Sequence, residues 1–140
     1  MASVSAAGLD PTPRARTPAR VGSRGEELAA AHLERLGFRV IARNVRIGAG
    51  ELDLVAFDGS TLVFAEVKTA RLRPGTPAGA QTPLERLGRA QRMRLRGLAA
   101  RWLAESPGRP GARSIRFDAI GVLLDGGGRL ARLDHLEDAW

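Results

Sequence analysis

Four residues of this 140-residue chain stand out by type and spacing: Asp53, Glu66, Lys68 and, two positions before the first of them, Glu51. All four lie in apolar, strand-like runs, where a charged side chain costs free energy unless it is paired or bound to a metal. Hard divalent cations such as Mg²⁺ and Mn²⁺ take oxygen ligands, often one or two carboxylates completed by water and a substrate phosphate. A lysine beside such a cation can neutralise developing charge or orient an attacking water. The composition singles the lysine out: Lys68 is the only Lys among 22 basic residues, and all the others are Arg. Arginine is a permanently charged planar fork, whereas lysine is a compact charge that can give up its proton. The plain alternative is a solvated strand on which Glu66 and Lys68 form a surface ion pair.

The elements that must position these groups are two strands over residues 51–57 and 61–68, joined at Asp58-Gly59. A DG pair between alternating apolar runs is a strong hairpin signal, because glycine accepts the positive φ of a tight turn. A two-residue loop pairs Phe57 with Ser60, Asp53 with Phe64 and Glu51 with Glu66. Alternate residues on a strand share a face, so Glu51, Asp53, Glu66 and Lys68 emerge together. In that register Asp53 and Glu66 are diagonal neighbours, roughly 7–8 Å apart at the backbone.

Asp53, a spacer of hairpin length, and then Glu66-Val67-Lys68 resemble the PD-(D/E)xK signature of restriction-endonuclease-like nucleases. More narrowly, GELDLVAFDGSTLVFAEVK is similar to the central motif of the YraN-type family, small bacterial proteins grouped with those nucleases. The likeness extends to Gly25-Glu26 with Ala29 and Leu33, to Asn44-x-Arg46 and to Arg116-Phe117-Asp118, covering residues 22–140. The resemblance implies a nuclease core and a Mg²⁺ or Mn²⁺ cofactor held by Asp53 and Glu66. It also implies that a first-helix glutamate, Glu26, completes the metal site. Family members usually carry a lysine near the start of the long second helix; here Gln91 stands at that position.

Composition sets the partners. A formal charge of +7 points to a polyanion, either nucleic acid or a membrane surface. The absence of cysteine removes disulfides, thiolate zinc sites and a cysteine nucleophile, and fits a reducing, cytoplasmic setting. No apolar run approaches the length of a membrane span, and the N-terminus lacks a signal-peptide core.

Residues 1–22, rich in Pro and Arg, read as a disordered basic arm, leaving a single domain over 23–140. Helical period starts at Ser23, with Glu26 at capping-box spacing, and stops at Gly37. His32 lies on that helix's apolar side and reads as packing. Residues 38–47 form a β-branched strand carrying Arg43 and Arg46. The segment after Lys68 reads as a loop bearing Arg71 and Arg73. The longest helix spans 84–105, with Arg89, Gln91 and Arg92 near its start and arginines over much of its surface. A strand over 114–124 follows, in which Asp118 reads as structural, satisfied by a hydrogen bond or an Arg. A short strand at 129–133 closes the chain.

The order α-β-β-β-α-β, followed by one short strand, predicts an α/β fold with a mixed central sheet flanked by helices. That is the order of the restriction-endonuclease-like core. The leading expectation is a metal-dependent nuclease for DNA rather than RNA, selective for structure more than sequence. Glu26, Glu51, Asp53 and Glu66 hold the metal, Lys68 serves the nucleophile, and Arg43, Arg46, Arg71, Arg73, Arg89, Gln91 and Arg92 grip the backbone. A nucleic-acid-binding protein without turnover is the second expectation, and an interaction protein docking its basic helix on acidic partners or anionic lipid the third.

Overall fold

The computed structural model describes residues 18–140. Helix α1 spans Pro18–Arg35, followed by strands β1 (Arg39–Ile47), β2 (Gly50–Phe57) and β3 (Thr61–Arg71). Short 3-10 turns at Ala78–Ala80 and Pro83–Arg86 lead to helix α2, Arg89–Glu105. Strands β4 (Ser114–Leu124) and β5 (Leu130–Leu136) complete the chain. The sheet runs β1-β2-β3-β4-β5, antiparallel throughout except for the parallel pair β3–β4. The expected mixed sheet with helices against it is therefore what forms. Most of the expected basic arm, residues 1–17, lies outside the described residues.

Four boundaries differ from the sequence reading by three or more residues, one of them the end of β5, which runs on to Leu136 instead of stopping at residue 133. Helix α1 begins at Pro18, so Ser23 is inside it and forms no cap. Gly25, which weakens the helical pattern, is present because α1 lies tight on β3: a Cβ there would come 1.8 Å from Thr69 Oγ1. Strand β3 runs on to Arg71, placing Arg71 in the sheet rather than in a loop. Helix α2 starts at Arg89, because Pro83–Arg86 winds as a 3-10 turn and extended Gly88 precedes the helix.

The β2–β3 connection is also longer than expected. Phe57 pairs with Leu62 and Val55 with Phe64, leaving Asp58–Thr61 as a four-residue turn. The Asp58 carboxylate accepts the N–H groups of Ser60 (2.9 Å) and Thr61 (2.7 Å), and Gly59 takes φ +103°. An aspartate that hydrogen-bonds its own turn stabilises the wider loop. The slip is two residues, so the β3 side chains keep their expected faces, but β2 breaks its alternation at Asp53: Leu52 packs in the α2-side core and Leu54 in the α1-side core.

The sheet separates two cores. On one side Leu28, Ala29 and Leu33 of α1 pack with Leu54, Val63 and Ile120. On the other, Leu95 and Ala99 of α2 pack with Val55, Leu62 and Phe64, where Trp102 meets the Phe64 ring edge-on. The segment between β3 and α2, expected to be a loop, is tied down. Gln81, buried, donates to Arg71 O (2.6 Å) and accepts from Arg73 N (3.0 Å). Arg86 donates to Thr69 O (2.8 Å), and Arg132 donates to the carbonyls of Ala78 and Gln81.

Candidate functional site

Side chains from α1, from the β1–β3 meander and from α2 converge where β2 begins and β3 ends. Carboxylate oxygens of Glu26, Glu51 and Asp53 lie within 4.8 Å of one another, all half-buried. The β2–β3 ladder runs as far as Leu54↔Ala65, and one residue beyond it Asp53 Oδ2 accepts the Val67 N–H at 2.9 Å. Asp53 thus faces the end of β3 beside Glu66, rather than Phe64 as the shorter turn implied. Glu66, 7% exposed, is held on Oε2 by Lys68 Nζ (3.4 Å) and by Gln91 Nε2 (3.2 Å) from α2. Asn44 Nδ2 of β1 donates to Glu26 Oε1 at 2.8 Å.

The electrostatics are those of crowded like charges in a partly dry setting. Burial, then the neighbouring Glu66 carboxylate, pushes the Asp53 carboxyl up to about 7, against the Val67 hydrogen bond that favours its anion. Glu66 is raised as well, chiefly by burial, although its hydrogen bond with Asp53 and the Lys68 ammonium oppose the rise. Glu26 is raised by burial; the Asn44 hydrogen bond lowers it, Asp53 and Glu51 raise it, and Arg43 lowers it.

The donor chemistry fits a hard divalent cation. Three carboxylate oxygens converge, no nitrogen or sulfur donor is in the set, and the ionised cluster is unfavourable without a compensating positive charge. Glu26, Glu51 and Asp53 make the tightest set; Glu66 stands beside Asp53 but is turned toward Lys68 and Gln91.

The basic residues divide. Arg46 pairs directly with Glu51 in the β1–β2 ladder, and the charge of Arg43 acts on Glu26. Arg71 sits at the end of β3, three residues beyond Lys68, while Arg73 and Arg89 are exposed and Arg92 is half-buried beside Gln91. Gln91, expected to touch nucleic acid, contacts Glu66. Asn44 is the residue whose role the strand pattern hides. Its signal was its type, because asparagine is disfavoured in strand interiors.

A second polar centre lies around Asp118, which is wholly buried. Arg116 grips both of its oxygens (2.9 and 2.8 Å), His135 Nε2 donates to Oδ2 (2.7 Å) and the Asp138 N–H donates to Oδ1 (3.0 Å). Burial alone would raise this carboxyl, but hydrogen bonds from His135, Arg116 and Asp138 hold it down at about 2. His32, read from sequence as packing, hydrogen-bonds His135 across the α1–β5 contact (3.0 Å).

The chain has close relatives. It is 47% identical over 118 residues to a UPF0102 protein of Nocardia farcinica, covering 84% of this chain and 86% of that protein. It is 48% identical over 117 residues to one of Beutenbergia cavernae, covering 83% and 92%. With one of Pelotomaculum thermopropionicum the identity is 44% over 120 residues, covering 86% and 94%. Residues 25–122 match the profile described as uncharacterised protein family UPF0102, a span that contains every residue of the carboxylate site. The chain belongs to this family.

Proposed function

We propose that the protein is a metal-dependent nuclease of the PD-(D/E)xK type, hydrolysing phosphodiester bonds in DNA by recognising its structure rather than its sequence. The observation that carries this reading is the convergence of Glu26, Glu51 and Asp53 beside the Glu66–Lys68 pair. A Mg²⁺ or Mn²⁺ ion held by those carboxylates would stabilise negative charge on the scissile phosphate. Lys68, 19% exposed and anchored by Glu66, is placed to orient the attacking water or to meet charge developing on the phosphoryl oxygens. Gln91 keeps Glu66 turned toward Lys68. Arg43 and Arg46 flank the carboxylates on β1, where they can hold the sugar-phosphate backbone while offering it no base discrimination. Repair or recombination is the process such a structure-selective activity would serve, by analogy with nucleases of that type.

The test is a panel of single-stranded, duplex, flapped and four-way-junction DNA and RNA, incubated with Mn²⁺, Mg²⁺ or EDTA. Asp53→Ala and Lys68→Ala proteins run alongside. The expected result is metal-dependent cutting of DNA that both variants lose. No cutting anywhere, with binding that persists in EDTA and in both variants, would replace catalysis with a binding role.

A further inference from the structure

Asn44 occupies the middle of β1 yet has φ +48°, in the left-handed region. Among the described residues only one other non-glycine residue, Asp138, has a positive φ. Extended geometry is the rule in strands, and asparagine is among the few side chains that enter the left-handed region at small cost. Such an outlier is best read through what it accomplishes. Here it accompanies a hydrogen bond from the Asn44 amide to Glu26 Oε1.

Glu26 is the member of the carboxylate set that comes from a different element. Glu51 and Asp53 share β2, which fixes their backbones relative to each other, and the Asp53 carboxylate is anchored on Val67 N–H. Glu26 reaches the set from α1 on a long side chain with three rotatable bonds. Gly25 brings α1 close to β3, but it sets only the backbone distance. The donor is neutral, and that matters beside Arg43 and Arg46. An arginine on Glu26 would cancel the negative charge a cation requires, whereas an amide orients the carboxylate and leaves its charge intact.

We infer that Asn44 is a positioning residue, its left-handed backbone and neutral amide together pinning Glu26 in the geometry that lets Glu26, Glu51 and Asp53 take a divalent cation. The inference rests on the metal-dependent reading above and adds a residue from the edge strand to it.

Calorimetric titration with Mn²⁺ of the full chain, of Asn44→Gly, of Glu26→Ala and of the double variant tests this. Glycine keeps the positive φ and removes only the amide, so Asn44→Gly should fold as the parent does, with at most a small drop in melting temperature. Its Mn²⁺ affinity should fall roughly tenfold, the low end of what losing an outer-sphere partner costs. Made in Glu26→Ala, the same change should cause no further fall. An unchanged affinity in Asn44→Gly would overturn the inference while leaving the metal site standing. So would an equal fall in both backgrounds, which would place the effect of Asn44 elsewhere. Parent protein that takes up no Mn²⁺, with Asp53→Ala behaving identically, would sink the metal-dependent reading and this inference with it.

Discussion

Two carboxylate centres among the described residues, one buried around Asp118 and one half-buried around Asp53, are opposites in almost every respect. Asp118 has four hydrogen bonds, a bidentate arginine and a histidine, and its carboxyl sits at about 2. Asp53 accepts one backbone N–H, faces other carboxylates, and its carboxyl is pushed up to about 7. Burial opposes the charge at both; partners overcome it at one and not at the other. The lesson is that burial alone does not separate structural acids from reactive ones. What separates them is whether the neighbourhood completes the charge or leaves it open to a ligand. Each centre is also served by a left-handed residue: Asp138 offers Asp118 its main-chain N–H, and Asn44 offers Glu26 its side-chain amide.

The largest effect expected from breaking this contrast is at the satisfied centre. Asp118→Ala leaves Arg116 and His135 without their shared acceptor, and removing one partner of such a buried pair costs about 3–5 kcal/mol. Urea unfolding should show that loss, and a change under about 1 kcal/mol would contradict the satisfied-network account.

Asp53→Asn should do the reverse. It removes a carboxylate that resists ionisation, so at pH 8 the metal-free protein should gain on the order of 1–2 kcal/mol of stability. The same variant should release no heat on Mn²⁺ titration. A destabilised variant would show that Asp53 is a structural acid after all.

The two centres should also give stability opposite slopes with pH. The Asp53 carboxyl is raised from 3.8, so its contribution is fully present below that value and is lost as pH rises through about 7. The Asp118 carboxyl is depressed, so its contribution is full above 3.8 and is lost as pH falls through about 2. Thermal melts of the metal-free protein should decline in the alkaline direction across neutrality. Mn²⁺ or Asp53→Asn should flatten that decline, and Asp118→Asn should flatten only the acid limb. A melting temperature constant from pH 5 to pH 8 would remove the contrast.

The smallest effect concerns Gln91. Replacing it with Leu removes one of two donors to Glu66 Oε2 while Lys68 remains. Mn²⁺ affinity should fall about two- to threefold, the low end of the roughly 0.5–1.5 kcal/mol that a single exchanged hydrogen bond is worth, because Lys68 still holds Glu66. Salt-dependent DNA binding measured in EDTA should stay unchanged, because Gln91 then serves the site and not the backbone grip.

Much of this arrangement is legible in the sequence because it follows from periodicity. The faces of β3 survive a misjudged turn, since a slip of two preserves them, whereas the change of face in β2 at Asp53 has no signal in the pattern. Asp118 stands out as an acid that must find a partner, and Arg116, two residues away, supplies one. What is not legible depends on distant contacts. Local capping signals at Ser23 and Glu26 compete with a helix whose start is set elsewhere, and Gly25 looks like a weakness until Thr69 is seen against it. The leucine spacing from Leu84 suggests continuous helix where Pro83 and Gly88 divide the segment. His135 lies far along the chain from His32, so no spacing rule joins them. Asn44 leaves its strand's geometry without breaking its pattern, and only the backbone angle reveals it.

The single parallel pairing in the sheet bears on how long the folded state lasts. Strands β1 to β3 meet through short turns, but β3 finds β4 only after residues 72–113 have closed, with Thr61 opposite Ser114. Local hairpins form early, and closure of non-local parallel strands is slow. The hairpin carrying Glu51, Asp53 and Glu66 can therefore assemble while still hydrated, before α1 and α2 dry the carboxylates. Repulsion that arises after the rate-limiting step leaves the folding rate alone and accelerates unfolding. The metal-free protein should then fold equally fast at pH 5.5 and pH 8 but open faster at pH 8, so that a bound cation would prolong the lifetime of the native state rather than hasten its formation.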